Sequence, residues 1–314
     1  MINRSLQFFK LARFPNLVIT ALALWMHWYF LLKRPLNDLG WPVDFGGLSL
    51  LYLCIAFAMV MGAGFIINDI YDMEIDAINK GDKRIVGHLI TVKNAWMTFW
   101  LLLFIAASIS LMLAYRFDKL NYIWIYPAAA GLLVIYSIWL KKTTLIGNLL
   151  IAFLCGSVLW IPLVAESDSV FRLPDLIKQS VYKNFSVCFL VAGLLTLSRE
   201  IVKDIEDVPG DRAAGARTLP IRKGMLFSKN LVYLLLMGII CLLILQVGLN
   251  PPVWYSLSGV FIGFVLPLVY IAFSIFRAQQ FREFHRISTY LKLAMVTGMI
   301  LLPIILYFQH SWIG

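Results

Sequence analysis

The chain has 314 residues, of which 61% are hydrophobic and only 14% charged. Soluble domains are about 45–50% apolar, and a chain this apolar lacks the polar atoms to cover a water-facing surface, so a soluble globular fold is excluded. The formal net charge of +10 sits in short loops between apolar runs, which argues for orientation in a membrane and against a nucleic-acid surface. A transmembrane helix needs about 20 apolar residues. Nine such segments follow one another, at 15–32, 47–69, 94–114, 121–140, 145–165, 185–203, 230–248, 253–276 and 289–308. Met1–Pro15 carries Arg4, Lys10 and Arg13, with no apolar run and no small-residue cleavage pattern, so the first span is expected to stay in the mature protein. The expected architecture is all-α and polytopic, with nine transmembrane helices in one membrane domain over residues 1–314.

Lys and Arg decide the expected orientation. With the N-terminus in the cytoplasm, 20 of them fall on the cytoplasmic side and 7 outside, a strong positive-inside bias. Cys54, Cys155, Cys188 and Cys241 each lie within an apolar run, as small hydrophobes do. His27, His88, His285 and His310 are scattered, so neither residue type forms a zinc or haem pattern.

Two segments break the apolar rule in the same way. The second span ends in Asn68-Asp69-Ile70-Tyr71-Asp72 and runs on to Asp76; the sixth ends in Lys203-Asp204-Ile205-Glu206-Asp207 and runs on to Asp211. Both read D-I-x-D-x-x-x-D, in registers 135 positions apart. Spacings of three and seven place the carboxylates on one helix face while the helix persists, and Asn68 shares the face of Asp72 and Asp76. Pro209 and Gly210 threaten that continuity in the second copy. One aspartate at mid-membrane costs about 2.5–3.5 kcal/mol, so six cost roughly 15–20 kcal/mol before their mutual repulsion. They must sit near the interface, line a wet cavity or bind cations. Clustered carboxylates suit a hard divalent cation, and Mg²⁺ commonly shares its shell with phosphate oxygens. Lys80, Lys83 and Arg84 follow the first copy; Lys203, Arg212 and Arg217 accompany the second; Lys141 and Lys142 end the fourth span on the same side. Carboxylates for metal inside a basic rim describe a diphosphate clamp, although the positive-inside bias alone would also place basic residues there.

These residues resemble the UbiA superfamily of intramembrane prenyltransferases. Its first motif, N-D-x-x-D-x-x-x-D, is matched by Asn68, Asp69, Asp72 and Asp76, and its second, D-x-x-x-D, by Asp207 and Asp211. Arg13-Phe14-Pro15-Asn16 and the stretch from Tyr136-Ser137 to Lys141 are also similar. One departure is Gly81-Asp82-Lys83-Arg84 where the family often reads P-D-R-P. The resemblance implies helices around a central cavity facing the cytoplasm. It implies Mg²⁺ held by Asn68, Asp72, Asp76, Asp204, Asp207 and Asp211. Lys80, Arg84, Lys141, Lys203 and Arg13 would meet the diphosphate, Asn16 and Tyr136 the substrate, and Asp72, Asp207 and Lys203 would carry the reaction.

The expected activity is transfer of a polyprenyl group from an allylic diphosphate. The wording from Arg199 to Pro220 is most similar to the branch that prenylates geranylgeranylglyceryl phosphate with geranylgeranyl diphosphate. An aromatic acceptor, as in quinone or chlorophyll synthesis, is the alternative within the family. A cation-coupled transporter is the alternative outside it, but it calls for matched mid-span Gly or Pro breaks, and no such pair is present. No nucleic-acid partner is expected.

Overall fold

A computed structural model of the chain describes residues 4–79, 81, 84–248 and 254–309. Among these the fold is all-helical, with one isolated bridge between Val86 and Ile90. The principal helices are α1 (Phe14–Asp38), α2 (Gly47–Tyr71), α3 (Val92–Arg116), α4 (Ile125–Ile138), α5 (Ile146–Val158), α6 (Asp175–Glu206), α7 (Met225–Gly248), α8 (Ser256–Arg277) and α9 (Phe281–Gln309). Seven of them are long and apolar enough to cross a membrane; α4 and α5 are apolar but shorter.

The shortening has local causes. The chain enters α4 through a 3-10 turn at Leu120–Trp124 and leaves it through another at Leu140–Lys142. The segment expected to span 145–165 stops at Val158 and restarts as Ile161–Ala165. Pro162 has no N–H for the Val158 carbonyl four residues back, so a continuous helix would lose that bond. The opposite deviation occurs in α6, which starts ten residues before the apolar run expected at 185–203. Its first turns are polar, with an Asp175–Lys178 ion pair at 3.3 Å, yet helical. Helix formation there follows backbone propensity rather than hydropathy.

The residues group into two compact units. The first comprises Met1–Leu22, Gly46–Gly147 and Pro209–Arg217; the second comprises Ala23–Phe45, Asn148–Val208 and Thr218–Gly314. In the first, α2 packs against α3 and α4. Small residues make that possible: a Cβ at Gly62 would lie 3.2 Å from Leu102 and one at Gly64 would lie 2.7 Å from Leu133, the close approach that membrane helices use in place of a hydrophobic drive. Ala63, Ile66, Ile67 and Ile70 of α2 join Leu11, Ala95 and Phe99 in the core.

In the second unit α6 is the axis, packed against α7 and α9. Gly156 and Gly193 bring α5 onto it, since a Cβ at Gly156 would meet the Phe189 carbonyl at 2.8 Å. The far end of this unit from Asp207 along α6 is tied by Glu166. Its buried carboxylate accepts from Trp28 Nε1 at 3.1 Å, from the backbone N–H of Asp44 and Phe45 at 3.0 Å each, and from Ser169 Oγ at 3.0 Å. Four donors stabilise the charge that burial alone would penalise.

Candidate active site

The first aspartate motif lies at the end of α2. The helix stops at Tyr71, Asp72 is its C-terminal cap, and a short helix Met73–Asn79 carries Asp76 onward. The second motif does the same at the end of α6: Asp207 caps the helix and a short helix Val208–Ala213 carries Asp211. The helix that would keep all the carboxylates of a motif on one face therefore does not persist through either copy, and the break threatened by Pro209 and Gly210 in the second copy occurs. The break falls at the central aspartate both times. In the second copy Pro209 cannot donate to Ile205 and so sits in the opening turn of the new helix; in the first copy no proline intervenes.

Placement at a helix C-terminus has an electrostatic consequence. The terminal carbonyls carry about half a negative elementary charge. Adding buried carboxylates to that end makes it strongly cation-seeking. Asp69 and Asp72 at the end of α2 are only 5% and 4% exposed, so water does little of the neutralising there.

In the first unit basic side chains supply the cations. Arg13 Nη2 donates to Asp69 Oδ1 at 2.7 Å and its guanidinium lies 4.6 Å from the Phe65 ring. Arg13 has φ of +51°, in the left-handed region that non-glycine residues rarely occupy. The turn between the helix Arg4–Leu11 and α1 thus aims Arg13 at the motif. Lys141 Nζ donates to Asp72 Oδ2, which also accepts from Asn68 Nδ2 at 2.7 Å. Lys141 sits in the 3-10 turn after α4. That turn is close because residue 147 is glycine: a Cβ there would lie 2.5 Å from the Leu140 carbonyl oxygen. Arg217 N–H donates to the Lys142 carbonyl at 2.9 Å, fastening the segment that follows Asp211 to the same turn. Arg84 is half-buried, and its Nε has no acceptor among the described residues. Asn16 and Tyr136 are half-buried in this unit as well. Lys80, expected on the diphosphate, and Lys83, which follows the first motif, lie outside the described residues.

In the second unit a neutral amide is among the partners of the motif. Asn148 Nδ2 donates to Asp204 Oδ2 at 2.7 Å. Lys203 Nζ turns to Glu200 at 3.7 Å, which also pairs with Arg199 at 2.9 Å. Glu206 meets His285 Nδ1 at 2.8 Å. Sequence reasoning did not single out Asn148, Glu200, Glu206 or Gly147. Only Asn148 left a signal, as an amide near the start of an otherwise apolar segment.

Among the described residues no three His, Cys, Asp or Glu side chains converge tightly enough to hold a metal ion. In kind, the donors fit a hard cation: they are carboxylate and amide oxygens, buried at Asp72, Asp76 and Asp211 and half-buried at Asn68, Asp204 and Asp207, and the Lys141 ammonium on Asp72 marks where positive charge settles. The four cysteines are free thiols.

An all-helical integral membrane protein with twin aspartate motifs at helix ends is the class that these observations define. The chain belongs to the UbiA prenyltransferase family, whose model matches residues 17–296. It is 31% identical over 261 residues to the digeranylgeranylglyceryl phosphate synthase of Methanothermobacter thermautotrophicus, spanning 80% of this chain and 83% of that one. The synthase of the same name from Methanosphaera stadtmanae is 32% identical over 254 residues, 79% of this chain and 84% of the other. Among solved structures, a digeranylgeranylglyceryl phosphate synthase superposes with a TM-score of 0.65 at 25% identity, over 95% of this chain and 96% of that one. A UbiA homolog from Archaeoglobus fulgidus, solved with GPP and Mg²⁺, shares the fold with a TM-score of 0.58 at 14% identity, over 94% of this chain and 99% of its own.

Proposed function

We propose that this protein transfers the geranylgeranyl group of geranylgeranyl diphosphate to the free hydroxyl of geranylgeranylglyceryl phosphate, with Mg²⁺. The observation that carries this reading is the pair of cation-seeking helix ends, Asp72 and Asp207, in a chain about 30% identical to synthases of that name. Asn68, Asp72, Asp76, Asp204, Asp207 and Asp211 would hold the metal. Bound Mg²⁺ supplies charge neutralisation on the leaving diphosphate. Lys80, Arg84, Lys141, Lys203 and Arg13 add hydrogen bonds to its oxygens, and the unsatisfied Nε of Arg84 supports an anion nearby. Asn16 and Tyr136 would contact substrate.

The chemistry balances without a further reactant. The allylic C1–O bond breaks with its electron pair going to diphosphate, the acceptor oxygen bonds to C1, and the hydroxyl proton leaves with the diphosphate. Apolar helices around the allylic cation keep out water, which would otherwise capture it. The acceptor brings a second anion, and Lys142, Arg212 and Arg217 supply positive charge beyond what an aromatic acceptor needs. Nine spans, a cytoplasmic N-terminus and a cytoplasmic site complete the reading, on the strength of the 20-to-7 basic bias. Accessibility labelling of a cysteine placed at Arg212 would report that side. The decisive assay offers purified protein, Mg²⁺ and geranylgeranyl diphosphate a choice of acceptors. Geranylgeranylglyceryl phosphate should be consumed. Consumption of 4-hydroxybenzoate or a naphthoate with the glycerol lipid untouched would overturn the acceptor while leaving prenyl transfer in place.

A further inference from the structure

The two basic residues on the first motif are held in contrasting ways. Arg13 is fixed: its backbone adopts the left-handed conformation, its guanidinium stacks on Phe65, and its partner Asp69 is not among the six residues assigned to the metal. Lys141 sits on a metal residue. Its ammonium donates to the same Asp72 oxygen that Asn68 Nδ2 occupies. The carboxylate side chain is 6% exposed and the lysine side chain 27%, so the base reaches into a buried site from a wetter position.

We infer that Lys141 is a resident counterion of Asp72, which a divalent cation must displace and which the incoming diphosphate then receives. This rests on the proposed function. A buried carboxylate at a helix C-terminus cannot stay uncompensated, and Lys141 compensates it. When a divalent cation takes the Asp72 oxygen, like-charge repulsion drives the ammonium off. It then requires a new anion, and the diphosphate supplies one. Asn68 changes role in the same step. As arranged here its NH₂ donates to Asp72, and an amide nitrogen cannot ligate a hard cation, so the amide must rotate to present Oδ1. The consequence is reciprocal coupling: metal and diphosphate each tighten the binding of the other because each relieves the position the other leaves. The metal alone binds weakly, which keeps the site from filling before the substrate arrives.

The test measures Mn²⁺ binding by electron paramagnetic resonance on full-length protein, with and without inorganic pyrophosphate, and needs no turnover. Wild type should bind Mn²⁺ at least tenfold more tightly with pyrophosphate present. Lys141→Met keeps the aliphatic stem and removes the charge. It should bind Mn²⁺ alone several-fold more tightly than wild type and lose most of the coupling, and Lys141→Arg should restore the coupling. In EDTA the Lys141→Met protein should melt below wild type, and Mg²⁺ should close that gap. Unchanged or weaker Mn²⁺ binding by Lys141→Met, with coupling intact in wild type, would overturn the counterion role alone. Failure of wild type to bind Mn²⁺ even with pyrophosphate would overturn both this role and the proposed function.

Discussion

Asp72 and Asp207 end their helices with nearly the same backbone, φ and ψ of −93° and 3° for the first and −87° and 1° for the second. Each hands the chain to a short helix that carries the last aspartate of its motif. What surrounds them differs. The first motif draws on formal positive charge, Arg13 on Asp69 and Lys141 on Asp72. In the second, Asp204 receives the neutral amide of Asn148, while Lys203 leans toward Glu200. The same local sequence pattern thus builds the same backbone, whereas the counter-charges come from distant parts of the chain. The pattern can be duplicated by register; its partners cannot.

The sharpest way to break this comparison is to remove one member of each pair. Asp72→Ala and Asp207→Ala should each lower kcat/KM by at least about a thousandfold, the scale on which single groups that stabilise transition-state charge act. Both variants should still fold, because neither aspartate joins the apolar core. Circular dichroism and melting would establish that before kinetics are read. Near-wild-type turnover in either variant would remove that motif from the reaction. A much smaller loss in one than in the other would mean that equal backbones do not carry equal roles.

How far the site can be read from the sequence follows from the same contrast. The double motif is readable because six aspartates beside apolar spans are costly unless they sit near the interface, line a wet cavity or bind cations, and because their register repeats. Its helix-end placement is half readable: Pro209 announces a break, while the break at Asp72 has no sequence signal. Arg13 and Tyr136 were reached only through the family resemblance. Gly147 was not reached at all, because its role appears only once the turn at Leu140–Lys142 folds back against it. Hydropathy also set the edges of α6 and the segment 145–165 wrongly. It measures apolarity along the chain, whereas a polar turn can be helical and Pro162 can end an apolar helix.

Gly147→Ala probes the turn that carries Lys141 without touching a charge. A Cβ there would stand 2.5 Å from the Leu140 oxygen and 3.2 Å from the Lys141 Cα, both backbone atoms that cannot rotate away. The turn must shift, and Lys141 shifts with it. An expected loss of about tenfold in kcat/KM, with a lower melting temperature, would tie the geometry of the first motif to this glycine. Gly131→Ala is the control, since nothing lies within 4 Å of its Cβ position. It should leave both quantities unchanged. Equal behaviour of the two variants would mean that the turn tolerates displacement and that Lys141 does not depend on it.

The smallest effect is expected at His285, the partner of Glu206 one residue before Asp207. Proximity in sequence would make this pair look like part of the machinery. Its exposure argues otherwise, because the His285 side chain is 72% exposed and Glu206 is 26% exposed. Water screens such a pair, and exposed ion pairs contribute about 0–1 kcal/mol. His285→Ala should therefore lower kcat/KM by less than about threefold, and stability by no more than such a pair contributes. If instead it costs tenfold or more with KM unchanged, the contact between α6 and α9 holds Asp207 in register. The second motif would then have its own anchor residue, as the first has Gly147, and the two helix ends would be supported alike after all.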